Sequence, residues 1–146
     1  GAGGVKTAER RQQRAQTIAS VLKSTVSIVL LVWVVLAILN VFFLVIGLFL
    51  HSAAAIILVV PIVMPLVKAV GIDPVHFGLI VTLNLGIGQQ TPPVASVLMA
   101  SCAIAKADMW KVTRVNLPFI GVLVATLMLV TYVPAVPMFL VDLFYK

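Results

Sequence analysis

Asn84, Gly86, Gly88, Gln89, Gln90 and Thr91 lie close together and are followed at once by Pro92 and Pro93. Together they offer oxygen atoms to a bound ion. Proline has no N–H, so carbonyls before it lose their usual donors. Hard cations such as sodium take oxygen ligands. The freed carbonyls and the Asn84 and Thr91 side chains fit one. A helix restarting after Pro93 would present N–H groups and the positive end of its dipole, which favour an anionic group. The plain alternative is a surface loop between two short helices, but both flanks are strongly apolar.

The value of this stretch depends on its surroundings. The chain is 62% apolar and 10% charged, with a mean hydropathy of +1.22. Soluble chains average about 45–50% apolar and 25% charged. No charged residue lies between Lys23 and Lys68, between Asp73 and Lys106, or between Arg114 and Asp142. His51 and His76 are the only titratable side chains inside these gaps, apart from Cys102 and Tyr132. A run of about 20 apolar residues spans a bilayer as a helix. The composition therefore describes an all-α integral membrane protein. At bilayer depth a broken helix survives only where protein covers it or it lines a cavity, and transporters build ion and substrate sites that way.

Other functions find little support. Cys102 is the only cysteine, lies in an apolar segment, and reads as a small core residue. No zinc spacing, phosphate loop or Ser-His-Asp arrangement is present, so neither an enzyme nor a cofactor is expected. The net charge of +6 is concentrated at one end: Lys6, Arg10, Arg11, Arg14 and Lys23 against Glu9 give +4 in the first 24 residues. Basic residues before an apolar run hold that flank at the cytoplasmic face against anionic lipid, not on nucleic acid. The apolar run that follows is too long for the core of a cleaved signal peptide. A retained signal-anchor helix fits it better.

Four segments follow. Residues 1–24 form a basic flank, without regular structure to residue 7 and then an amphipathic interfacial helix from Ala8 to Lys23. Residues 25–70 form an apolar helical hairpin, jointed at His51-Ser52 and carrying Pro61 and Pro65 in its second arm. Whether it is re-entrant or crosses twice is left open by the sequence. Asn40 in the first arm either pairs with another helix or lies near an end. Residues 71–104 form a discontinuous helix: Gly71 to Pro74 make a turn, the first half ends near Leu85, and the second begins after Pro93. Residues 105–146 comprise a mixed-charge interfacial arm and a last membrane helix from about Leu117 to Leu140, softened by Pro134 and Pro137, with aromatic residues at its end.

The motifs GIDP (71–74) and HFG (76–78), then Asn84, Gly86, Gly88 and TPP (91–93), resemble the large membrane subunit of TRAP transporters, the tripartite ATP-independent periplasmic family, of the DctM type. The similarity covers about residues 41–145 and looks like the C-terminal part of that family. It implies a partial repeat of an elevator-type transporter. The function implied is sodium-coupled import of organic acids, with sodium as the coupling ion. The partners implied are a periplasmic substrate-binding protein and a small membrane subunit, at the bacterial inner membrane. On that pattern Gly47 to Ser52 matches a hairpin tip and Gly86 to Pro93 the broken helix beside it. Gly47, His51, Ser52, Gly86, Gly88 and Thr91 would bind sodium, mainly through backbone carbonyls. Ser52, Asn84, Gln89, Gln90, Thr91 and Pro92 would face the substrate.

The chain departs from the family at two places. Many members carry Asp-Pro where it has His51-Ser52, and an aliphatic pair where it has Gln89-Gln90. Both bear on substrate choice. Residues 10–42 resemble instead a membrane helix of small-conductance mechanosensitive channels. The two basic flanks would also be separated by an odd number of crossings, although both favour the cytoplasm. These points lead to the expectation of a fragment or fusion whose second inverted half lies elsewhere. The competing readings are a channel-like protein and a membrane scaffold without transport.

Overall fold

A computed structural model describes residues 2–145, with side chains described from Gly4 onward. Every element in it is an α-helix: α1 (Ala2–Phe49), α2 (Ser52–Ala69), α3 (Pro74–Gln90), α4 (Ser96–Ala105), α5 (Met109–Tyr132) and α6 (Ala135–Tyr145). Three are long and apolar enough to cross a membrane, over Gly4–Phe49, Ser52–Ala69 and Met109–Tyr132. The protein is an all-α, multi-pass membrane protein.

The basic flank and the first apolar run form one helix. Between Gly4 and Gly47 the sequence has no glycine or proline to stop it. At the expected joint, the Thr25 hydroxyl donates to the Val21 carbonyl at 2.9 Å, so that polar residue is satisfied inside the helix. Ala2 to Thr7, expected to lack regular structure, are helical as well; Gly1 lies outside the described residues. The chain divides into two units at Val34/Val35. In the first, the described side chains are exposed almost throughout. The second holds the rest of α1 and all of α2 to α6, and everything below concerns it.

The punctuation between helices follows from residue chemistry. Gly71, at φ +81°, closes α2 with its N–H on the Lys68 carbonyl, while Ile72 N–H reaches the Val67 carbonyl. This is a Schellman ending, and its usual apolar clasp is made by buried Val67 and Ile72. Asp73 then caps α3, its carboxylate accepting from Val75 N–H at 2.8 Å and His76 N–H at 3.2 Å, with Pro74 in the first turn. The expected mixed-charge arm instead opens α5, because Asp108 caps that helix by accepting from Trp110 N–H at 2.9 Å. The single helix expected to reach Leu140 is divided: α5 ends at Tyr132, since the residue before a proline avoids helical geometry and Val133 precedes Pro134, and α6 follows from Ala135.

Helix α3 lies at the centre, touching α2, α4, α5 and α6 as well as the end of α1. Phe77 on α3 meets Phe43 on α1 edge-to-face, ring centres 5.7 Å apart, and both are fully buried. Ile80, Val81 and Leu85 continue the core. Against α5, Ala95, Leu98 and Cys102 form a smaller cluster with Met109 and Val112, so Cys102 is a core residue.

His76 ties α3 to the bend between α5 and α6. Pro134 has no N–H to give the carbonyl four residues earlier, that of Val130. His76 Nε2 lies 2.6 Å from that carbonyl and must be the protonated nitrogen, because a carbonyl only accepts. Replacing His76 with alanine leaves the carbonyl of half-buried Val130 without this donor and is expected to cost about 1 kcal/mol or somewhat more in unfolding free energy. Glutamine, which can still donate, should recover part of that loss in the same denaturation measurement. Equal destabilisation by the Val130-facing variants and by a substitution at exposed His51 would refute the role.

Candidate ion and substrate site

The close approach of two glycines builds the site. A Cβ on Gly88 would lie 2.5 Å from the Gly47 carbonyl carbon and 2.7 Å from its Cα. A Cβ on Gly47 would lie 3.1 Å from the Leu85 Cα. The backbones of α1 and α3 therefore touch where α1 is about to end, as small residues allow in membrane helices. Gly86 has nothing within 4 Å of its Cβ position. The two α3 glycines thus have different jobs.

The end of α1 leaves carbonyls without helical donors. Leu50 N–H bonds to the Ile46 carbonyl at 2.8 Å, and the next bond of this series is Ala55 N–H to the His51 carbonyl at 3.0 Å. Among the described residues, the carbonyls from Gly47 to Leu50 receive no backbone N–H, the ordinary state of a helix C-terminus. His51 is extended (φ −64°, ψ 140°), exposed, and makes no side-chain cap; half-buried Ser52 begins α2.

The break in α3 is narrower than the sequence indicated. The helix does not stop near Leu85 but runs through Gly86 and Gly88 to Gln90, and α4 begins at Ser96. In a helix the Gly86 carbonyl pairs with the N–H four residues on. The Gly88 carbonyl accepts Thr91 N–H at 3.1 Å, and the Ile87 carbonyl accepts the Thr91 hydroxyl at 2.8 Å. Glycine is a weak helix former, worth about 1 kcal/mol against alanine, and burial of the α3 face outweighs it. The prolines set the actual break: Thr91, preceding Pro92, is extended (φ −106°, ψ 126°). Neither Pro92 nor Pro93 can donate to the carbonyls of Gly88 or Gln89. Because the Thr91 hydroxyl proton is directed at the Ile87 carbonyl, any further partner of Oγ1 would meet it as an acceptor.

Around this break the polar side chains separate into two groups. Gln89 is 7% exposed and Gln90 half-buried, its Oε1 3.4 Å from Asn116 Nδ2 on α5; Thr91 and Pro92 are half-buried. Asn84 turns the other way. It is fully buried, donating to Asn40 Oδ1 at 2.7 Å and to the Ile80 carbonyl at 2.9 Å. Asn40 donates to the Leu36 carbonyl at 2.9 Å and to Thr131 Oγ1 at 3.2 Å. Asn40 thus pairs between helices, and Asn84 belongs to an internal polar cluster, not to a surface a substrate could touch in this arrangement. Thr131 and Asn116 carried no signal beyond being polar residues in an apolar helix. Ala95, at φ 42°, holds left-handed backbone just before α4, a strain often stored beside functional breaks.

No cluster of three His, Cys, Asp or Glu exists among the described residues.

Residues 7–136 match the family described as "Tripartite ATP-independent periplasmic transporter, DctM component". Residues 10–42, which resembled a channel helix, fall inside that range, so the channel resemblance gives way to the same family. The chain is 46% identical over 105 residues to the isethionate TRAP transporter permease protein DctMQ of Oleidesulfovibrio alaskensis, covering 72% of this chain and 16% of that protein. It is 39% identical over 99 residues to the C4-dicarboxylate TRAP transporter large permease protein DctM of Vibrio cholerae, covering 68% and 22%. Identity is also 39% over 111 residues to the sialic acid TRAP transporter large permease protein SiaM of Vibrio cholerae, covering 76% and 26%. The chain thus spans about a quarter or less of the length of these relatives.

Proposed function

The chain belongs to the DctM component family of tripartite ATP-independent periplasmic transporters, and from that premise we propose that it carries part of a sodium and substrate site for organic-acid import. It is a membrane transporter component. The single observation that carries the reading is the Gly47–Gly88 backbone contact, which brings the carbonyl-rich end of α1 against the last turn of α3.

Sodium is held between carbonyls of the Gly47–Leu50 turn and the oxygens after Gly88, with Thr91 Oγ1 as a further ligand. His51 contributes through its backbone, since its side chain is exposed. The substrate anion lies beside the sodium, where Ser52 and the α2 N-terminus, Gln89, Gln90 and the N-terminus of α4 offer donors. No Lys or Arg lies in either joint. Neutral donors plus one bound cation therefore balance the anion, which couples substrate affinity to sodium. The relatives are named for isethionate, C4-dicarboxylate and sialic acid, all acids, and this chain is assigned a substrate of that class. A periplasmic binding protein delivers it, a small membrane subunit accompanies the permease in the bacterial inner membrane, and no chemical reaction is catalysed.

Sodium binding should register as stability. A ligand at 100 times its Kd adds about 2.7 kcal/mol to the folded state. Unfolding in detergent with sodium chloride, against choline chloride at equal ionic strength, is expected to show a stabilisation that Thr91→Val diminishes. Equal stability in the two salts would sink the ion site and leave a non-transporting membrane scaffold as the better reading.

A further inference from the structure

About two helical turns from Gly47 along α1 and one from Gly88 along α3, three separate helices, α1, α3 and α5, bring together Asn40, Asn84 and Thr131. They are 5%, 0% and 1% exposed. The apolar residues around them, Phe43, Phe77, Ile80 and Leu127, are buried as well. A polar group sealed this way is almost always hydrogen-bonded.

Counting donors and acceptors shows that the cluster is one donor short. Both N–H groups of Asn84 are used, on Asn40 Oδ1 and the Ile80 carbonyl. Both of Asn40 are used, on the Leu36 carbonyl and Thr131 Oγ1. Asn84 Oδ1 is fully buried and accepts from no protein donor. Exchanging the oxygen and nitrogen of Asn84 does not help, since it would set an oxygen against the Ile80 carbonyl and Asn40 Oδ1. The Thr131 hydroxyl is the one donor held loosely, at 3.5 Å from Asn40 Oδ1, the limit of a hydrogen bond.

We infer that this cluster binds one water molecule, which donates to Asn84 Oδ1 and accepts from the Thr131 hydroxyl. Buried water takes two to four polar partners of this kind. A cation does not suit the same position. It needs a shell of several oxygens, whereas only Asn84 Oδ1 is unengaged here and two amide groups turn N–H bonds into the cluster. The inference is independent of the sodium reading at Gly47 and Thr91. The water completes a polar link that holds α1, α3 and α5 together inside the membrane, where the helices gain little from hydrophobic burial against one another.

The chain has three asparagines, so 15N-asparagine labelling of the full chain in nanodiscs gives three side-chain amide pairs to resolve. A long-lived water cross-peak to the Asn84 amide protons is expected, unchanged when choline replaces sodium. Thr131→Val should abolish it and Thr131→Ser should retain it, while the Asn40–Asn84 amide shifts report that the fold persists. A resolved Asn84 amide with no water cross-peak would overturn the inference. An Asn84 shift that follows sodium concentration without a water peak would overturn it in favour of a cation.

Discussion

Alanine at Gly88 is expected to destabilise the folded chain by about 3 kcal/mol or more, at the upper end for overpacked positions. The new Cβ would stand 2.5 Å from the Gly47 carbonyl carbon, and the obstructing atoms are backbone. No rotamer change relieves that contact. Carbon atoms rest best about 3.5–4.0 Å apart, so the helices must separate by roughly 1 Å, breaking the alignment of the two ends on which the proposed ion site depends. The control lies two residues away. Gly86→Ala meets nothing within 4 Å, and in a helix alanine is better than glycine by about 1 kcal/mol. That variant should be neutral or slightly more stable, with its sodium response intact. Denaturation of both proteins, with and without sodium, gives the comparison. Equal behaviour of the two would mean that the α1–α3 contact is not as close as the structure places it.

Leucine at Asn84, and separately at Asn40, should each cost about 1–3 kcal/mol, because each leaves a buried amide partner unsatisfied. The double variant is the informative one. Removing both amides leaves fewer orphaned groups than either single change implies, so its cost should fall below the sum of the two. Within a membrane such couplings average only about 0.6 kcal/mol and reach about 1.7. The complete burial of Asn84 and the 2.7 Å bond argue for the upper part of that range. Strict additivity in the double-mutant cycle would show that the two amides do not interact.

Much of the helical punctuation was legible in the sequence. Gly71, Asp73 and Pro74 have strong local preferences that involve few partners, and they act as those preferences dictate. The apolar runs specified helices for a membrane, because no other open-ended element satisfies its backbone there. The motif from Gly71 to Pro93 was enough to point to the family.

Where the reading erred, the competing effect was packing. Gly86 and Gly88 looked like helix breakers, yet α3 continues through them, since propensity amounts to about 1 kcal/mol per glycine and the buried face of the helix outweighs it. A joint was expected where the amphipathic flank meets the apolar run at residue 25, but α1 continues through it and the Thr25 hydroxyl bonds within that helix. The arm from residue 105 looked separate until Asp108 was seen to cap the last long helix.

By itself the sequence determined that this is a helical membrane protein of the DctM family and that its polar joints lie at His51-Ser52 and before Pro92-Pro93. Composition and local stereochemistry suffice for that. Only the tertiary structure decided which glycine is a contact and which is not, and that Asn84 faces Asn40 and Thr131 instead of the joint. Spacing along a helix gives a residue's direction but not what stands opposite it, and here the opposing atoms come from α1 and α5, tens of residues away in the chain.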